Sequence, residues 1–409
     1  MTPQVLVSHP FGNPNAYQAA RGLHLRGSLA GFATCIYAPW GTSLRSDELL
    51  PKGAVRTGGW REGIRVMLAN SGVLSRTGRS VGMIDWVARA HDVRVARQLT
   101  RRTDAVWGYE DFAAHSFERA KALGIGTIYD LPTVHHMEAR RIYEREVEAD
   151  PSLARFLSPD LEPEHRIRRK EAELELADVV VCASTFVKGA FTKRGWPASR
   201  LKVLPYGVSA RAVRPASRRE PGPLRLLYAG AIGPHKGIHH LFQALCDVPE
   251  KAFHLTLAGA WVPGFREWVA RRFRTPFHST GRLPAAGLSA EYEQADVLVF
   301  PALRDGFGLV LVEAMAHGVP AIASTSCAAP DLVRDGIEGL IVPPSNPVRI
   351  REAIETLLDR PQLAPAMSDA AYQLSRRLTW ESYQRQVVEL SHEVADGGRT
   401  LVHAAAPRH

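Results

Sequence analysis

Strand-length apolar runs alternate with helix-length amphipathic stretches along nearly the whole chain. The alternation falls into two blocks, separated by a polar, proline-rich, aperiodic stretch at 208–223. Such alternation argues for parallel sheets covered by helices. In the first block, strands are expected at 5–8, 33–37, 105–107, 127–129, 179–182 and 202–204. Helices are expected at 18–26, 83–102, 116–123, 165–177 and 184–193, with a loop over 150–164. The second block carries expected strands at 224–229, 254–258, 297–300, 321–323 and 340–342. Its expected helices lie at 238–246, 265–272, 309–317, 348–358 and 363–377. A final helix starts at Trp380 and reaches about 394, and 397–409 reads as a flexible tail. No short-period repeat is present. The reading is therefore α/β, with two Rossmann-like domains (1–207 and 224–379, joined by a 208–223 linker) facing across a cleft between their strand ends.

The 409 residues are enough for two full cores, and 45% hydrophobic with 23% charged is ordinary globular composition. No apolar stretch approaches a bilayer span, and the N-terminus lacks the pattern of a signal peptide. Cys35, Cys182, Cys246 and Cys327 are far apart in apolar surroundings without ligand spacing, so they read as reduced core thiols in a cytoplasmic protein. The net charge of +9 is uneven. Eleven basic residues against three acids lie between Lys52 and Arg102, interleaved with Trp60, Trp86 and aliphatic residues. This segment reads either as a solvated arginine-rich face or as a surface for anionic lipid, which would place the protein at the inner face of the membrane. No nucleic-acid-binding signature accompanies the charge.

The most informative motif is Asp305-Gly306-Phe307-Gly308, a turn between an apolar strand and a helix that carries Glu313. A glycine turn before a helix offers free N–H groups to an anion, here from Gly306, Phe307, Gly308, Leu309 and Val310. The flanking acids suit sugar or ribose hydroxyls. Glu313, on an apolar helix face, needs a hydroxyl or cationic partner if it is buried. A second motif runs from Gly230 to Lys236-Gly237, where a strand ends in glycine and a lysine precedes a helix. This is a phosphate-site arrangement. The first βα turn, with Gly12 and Asn15, faces the same cleft and is a further donor or acceptor contact. Strand ends supply Tyr109, Glu110, Asp130, His135 and His136 as acid–base or acceptor-side candidates. His135-His136-Met137-Glu138 lacks zinc-ligand spacing, so no metal is expected.

These segments resemble the retaining, nucleotide-sugar-dependent glycosyltransferases of the GT-B fold, family 4. The likeness is close over about 178–381 and loose over 1–177. It includes Ala177-Asp178, Ala295-Asp296, Gly318-Val319-Pro320 and Thr379-Trp380-Glu381. The resemblance implies that Glu313 binds the ribose, Asp305 the donor sugar, and Lys236 the diphosphate. It also implies that Arg282 and Leu283 lie by the base, and that the final helix (380–396) crosses back to complete the first domain. It further implies that the departing phosphate assists the acceptor's deprotonation, with no cofactor and no metal. The family's first-domain histidine has no clear match, Pro132 standing near its place, so the expected catalytic set joins Asp305 and Lys236 with the strand-end candidates Asp130 and His135.

Two positions depart from the family pattern. Ala231 stands where an arginine is usual, and Asp305 where a glutamate is usual. Arg304 or His235 is the expected substitute for the missing cation. The expected function is transfer of a sugar from a nucleotide-diphosphate donor to a glycan or lipid-linked acceptor. The alternatives are a catalytically silent sugar-nucleotide binder or partner subunit, and a GT-B epimerase or hydrolase.

Overall fold

A computed structural model describes residues 2–11, 13–35, 37, 50–58, 60–61, 63–64, 80–157, 163–209 and 222–405. Gly12, most of the 208–223 stretch, part of the basic 52–102 segment and 406–409 lie outside the described residues.

The strands are β1 Val5–Ser8, β2 Leu29–Ala33, β3 Val55–Arg56, β4 Ala105–Tyr109, β5 Gly126–Leu131, β6 Val179–Cys182, β7 Leu201–Val203, β8 Leu224–Ala229, β9 Phe253–Ala258, β10 His278–Gly281, β11 Val297–Phe300, β12 Ala321–Ser324 and β13 Gly339–Val342. The helices are α1 Pro14–Leu25, α2 Ser80–Gln98, α3 Ala114–Leu123, α4 His136–Ala149, α5 Ala154–Leu157, α6 Glu164–Leu176, α7 Thr185–Thr192, α8 Ile238–Leu245, α9 Phe265–Arg272, α10 Ala285–Gln294, α11 Leu309–Ala316, α12 Ala329–Leu332, α13 Pro347–Asp359, α14 Leu363–Ser375 and α15 Trp380–Ala405.

Two sheets result. One has the order β3-β2-β1-β4-β5-β6-β7 and the other β10-β9-β8-β11-β12-β13. Every pairing between the named strands is parallel. Parallel sheets are covered on both faces, and the continuous apolar strands Val179–Cys182 and Val297–Phe300 fit that rule, being buried throughout.

Helix α15 returns to the first sheet. Gln384 Nε2 donates to Gln18 Oε1 at 2.6 Å, His392 Nε2 lies 2.9 Å from Ser28 Oγ, and a side chain on Gly126 would strike Val394. One apolar cluster joins α1, β1, β4 and α15 to Phe307, Val312 and Met315 of the second domain. A second traffic runs the other way. Tyr143, Leu153, Phe156 and Leu157, from the excursion between β5 and β6, lie in the core around β8 and β11.

Several expectations fail here. The 150–164 stretch is not simply a loop, since Pro151–Leu153 forms a 3-10 turn and α5 follows. The flexible tail is helical as far as Ala405, because α15 continues through Gly397 and Gly398. Cys246 is exposed, whereas Cys35, Cys182 and Cys327 are buried. Strands β3 and β10 and helices α4, α10 and α12 have no counterpart in the sequence reading.

Candidate active site

The Asp305 turn and the Lys236 segment meet. Lys236 Nζ donates to Asp305 Oδ2 at 2.5 Å, and both side chains are about one-fifth exposed (20% and 21%). Asp305 Oδ1 accepts the Phe307 N–H at 3.0 Å, which closes the turn, and the Asp305 N–H donates to Ser326 O at 2.8 Å. Glycines make this approach feasible. Gly237 has φ 69°, and a Cβ there would lie 2.0 Å from Pro301 O. A Cβ on Gly306 would lie 1.7 Å from Pro132 O, so the turn touches the first domain directly. Ser184 Oγ adds to that contact by donating to Gly306 O at 2.6 Å, and Phe307 packs on Tyr206 with ring centroids 5.1 Å apart.

Gly308, at φ 84°, begins α11, which no side chain caps. The amides of Leu309 and Val310 therefore belong to a helix start at which the backbone dipole favours negative charge. One turn on, Glu313 accepts from Tyr292 OH at 3.1 Å. Burial pushes its carboxyl above the ordinary range, and the tyrosine and His317 oppose this only partly. The hydroxyl partner expected for this acid is thus Tyr292 of α10. Gly230 directly follows β8 and lies against Gly259, where a Cβ would fall 1.7 Å from Gly230 O. Arg282 is exposed beside Gly281, and Leu283 packs against the second-domain core.

Neither proposed substitute for the missing arginine stands as a free cation. Burial, then the charges of Lys236 and Arg304, push the His235 imidazole down to about 4, so it is neutral near pH 7. Arg304 turns to the first domain. Its Nε donates to Tyr143 OH at 2.7 Å and its Nη1 to Thr133 Oγ1 at 3.0 Å.

The first-domain candidates are mostly buried or paired with neighbouring side chains. Asp130 is fully buried (0% exposed). Its Oδ2 accepts from Trp107 Nε1 at 3.2 Å, and its Oδ1 faces Tyr206 OH at 3.5 Å. Burial pushes its carboxyl up to about 7 against those hydrogen bonds. It is a buried core acid, with Tyr383 of α15 among the groups around it. Tyr109 is buried too, with its ring 5.0 Å from His9. Glu110 is held by Lys170 at 2.9 Å, within a network of Asp111, Arg166, Arg169 and Asp85. His135 caps α4, its Nδ1 accepting the Met137 N–H at 3.2 Å while its ring packs on Phe191. His136 Nε2 lies 2.5 Å from Glu171. Asn15 is buried in the first turn of α1, whose cap is Asn13.

Among the described residues, two triads bring metal-ligand atoms within 4.8 Å of one another, His135–His136–Glu171 and Glu146–His239–His240. In the first, His135 Nδ1 is an acceptor, so its Nε2 carries the proton and faces Glu171 as a donor. In the second, Glu146 accepts from both imidazoles at 2.8 Å and from Ser345 Oγ. These hydrogen bonds hold Glu146 below the ordinary carboxylate range although burial pulls it upward.

Residues 210–374 match the family described as glycosyl transferases group 1. The matched stretch carries both the Lys236 and the Asp305–Glu313 segments. The match spans most of the second domain. An uncharacterized glycosyltransferase of Methanocaldococcus jannaschii is 25% identical over 220 residues, which is 54% of this chain and 61% of that relative's length. A glycogen synthase of Mycobacterium tuberculosis is 26% identical over 333 residues, 78% of each chain. In three dimensions the chain is similar to Anabaena HepE in complex with UDP. The TM-score is 0.65 at 17% identity, covering 95% of this chain and all of that one (100%). The fold is GT-B. Among the described residues, no helix of this glycosyltransferase-fold chain is long and apolar enough to cross a membrane.

Proposed function

We propose that the protein is a retaining glycosyltransferase of family 4 that moves a sugar from a nucleotide-diphosphate donor without a metal. The observation that carries this reading is the 2.5 Å pair between Lys236 and Asp305, set beside the start of α11 and Glu313. When a donor arrives, the diphosphate takes Lys236 from Asp305. The ammonium and the α11 amides then face the phosphates, where charge develops as the sugar leaves. The released Asp305 carboxylate is an acceptor for sugar hydroxyls. Glu313, oriented by Tyr292, receives the ribose hydroxyls. With Ala231 and a neutral His235, Lys236 is the side-chain cation of the clamp, and the helix dipole supplies the remainder.

For the acceptor, the reading is a glycan or lipid-linked glycan met at an anionic membrane surface. Trp60 is 68% exposed, and the Arg61 guanidinium lies 5.5 Å from its ring centroid and 4.6 Å from that of Trp86. Exposed tryptophans with an arginine suit the interface of an anionic bilayer. A cytoplasmic location follows from the same reading.

The test is a panel of UDP-, GDP- and ADP-sugars incubated with and without acceptor extract. Nucleotide release that requires the acceptor supports transfer. Release to water alone makes the protein a hydrolase, and binding without release makes it a silent binder.

A further inference from the structure

Helix α4 leaves the first domain after β5 and lies on the second. Its sequence is strongly polar, yet Tyr143 and Glu146 are buried. They stand three residues apart and so share one helical face. Tyr143 OH accepts from Arg304 Nε at 2.7 Å, and the guanidinium stacks 4.8 Å from the ring centroid. Arg304 directly precedes Asp305. Glu146 accepts from His239 and His240 at 2.8 Å each, and these lie in the first turn of α8, immediately after Lys236-Gly237. Ser345, which also donates to Glu146, sits at φ 55°, a left-handed conformation that is unfavourable for a residue with a side chain. One face of a first-domain helix therefore grips Arg304, adjacent to Asp305, and His239 and His240, three and four residues beyond Lys236.

We infer that Tyr143 and Glu146 are positioning residues for the diphosphate clamp. They act through Arg304 on Asp305, and through His239 and His240 on Lys236, so that the clamp is assembled only with the first domain docked. This rests on the proposed donor role of Lys236 and Asp305. A helix that merely glued the domains together would contact the second domain anywhere. Here its two buried polar groups fall on the neighbours of the two clamp residues.

The test compares a nucleoside diphosphate with its nucleoside by calorimetry, using whichever of UDP, GDP and ADP the wild type binds most tightly. In Tyr143→Phe and Glu146→Gln, the diphosphate should bind about tenfold more weakly, the scale of one charge-assisted contact. The nucleoside, which reads Glu313 and the base loop, should bind as before. In a Lys236→Ala background, Glu146→Gln should add no further loss. Equal weakening of nucleoside and diphosphate, or a full additional loss in the Lys236→Ala background, overturns the inference. So does one zinc per chain that is lost in Glu146→Gln, because the carboxylate would then be a ligand. Failure of the wild type to bind any of the three diphosphates instead overturns the donor reading, and the inference falls with it.

Discussion

Asp130 and Asp305 occupy comparable places in the two domains, one at the C-terminal end of β5 and the other just past β11, yet their surroundings make them different acids. Asp130 has no exposure, faces Trp107 and Tyr206, and is pushed up to about 7 by burial. Asp305 stays part-exposed, paired with Lys236 and bonded to the Phe307 amide. A carboxylate at a strand's C-terminal end is a ligand candidate only if nothing folds over that end. In the first domain α15 and Tyr206 do so, while in the second domain the glycines at 306 and 308 keep the backbone low and leave the carboxylate beside the cleft.

The sharpest way to break this contrast is the same substitution at both places. Asp305→Asn should lower turnover by roughly 10²–10³-fold, the range for losing one electrostatic contact at a reacting centre, and Lys236→Ala should do likewise. Both should leave the urea midpoint nearly unchanged. Asp130→Asn should keep turnover and cost under about 1 kcal/mol in urea unfolding, since an amide still accepts and donates where a protonated acid did. Turnover lost in Asp130→Asn would end the distinction.

Next in size is the contact between the regions. Gly306→Ala places a methyl 1.7 Å from Pro132 O, so the turn must leave the first domain, and turnover should fall at least about tenfold. Gly281→Ala meets nothing within 4 Å and carries only the strain of φ 70°, about 1 kcal/mol read as a melting shift. Asp130→Ala should exceed that, at about 1–3 kcal/mol of lost stability, because the Trp107 and Tyr206 donors lose their acceptor.

The pH dependence sharpens the comparison further. In the first domain Asp130 is pushed up to about 7 and Glu173 to about 8, chiefly by burial. Raised folded values mean that the folded state holds protons the unfolded chain has released. Their contribution is full below the ordinary carboxyl range and is lost as pH rises through 7 and 8. His9 and His235, one in each domain, are pushed down to about 4 by burial. The unfolded chain protonates first at these sites, so stability falls as pH drops from about 6.5 towards 4. Urea titrations should therefore show an acid limb shared by both domains and an alkaline limb in which Asp130 and Glu173 of the first domain weigh most and Glu313 of the second takes part, the limb being smaller in Asp130→Asn.

The second domain was the more legible in sequence because its signals are local. Val297–Phe300 is a continuous apolar run, Gly237 and Gly308 mark left-handed turns, and Lys236 and Asp305 sit where their neighbours announce them. The first domain depends on distant residues. Asp130 looked available because the groups covering it come from positions 107, 206 and 383, which no local pattern connects. Helix α4 is hard to read from sequence because its stripe of Ala139, Ile142, Tyr143 and Val147 is narrow, is interrupted by the buried Glu146, and sits in a strongly polar stretch. Strand β10, His278-Ser-Thr-Gly281, is short and polar at a sheet edge and carries no apolar signal.

The central claim is that the second domain holds a nucleotide diphosphate between Glu313 and Lys236, and titration calorimetry of Glu313→Ala with UDP, GDP and ADP tests it most directly. Loss of binding for the diphosphate that the wild type holds best, with an unchanged melting temperature, is the predicted result. Wild-type affinity retained in Glu313→Ala would contradict it.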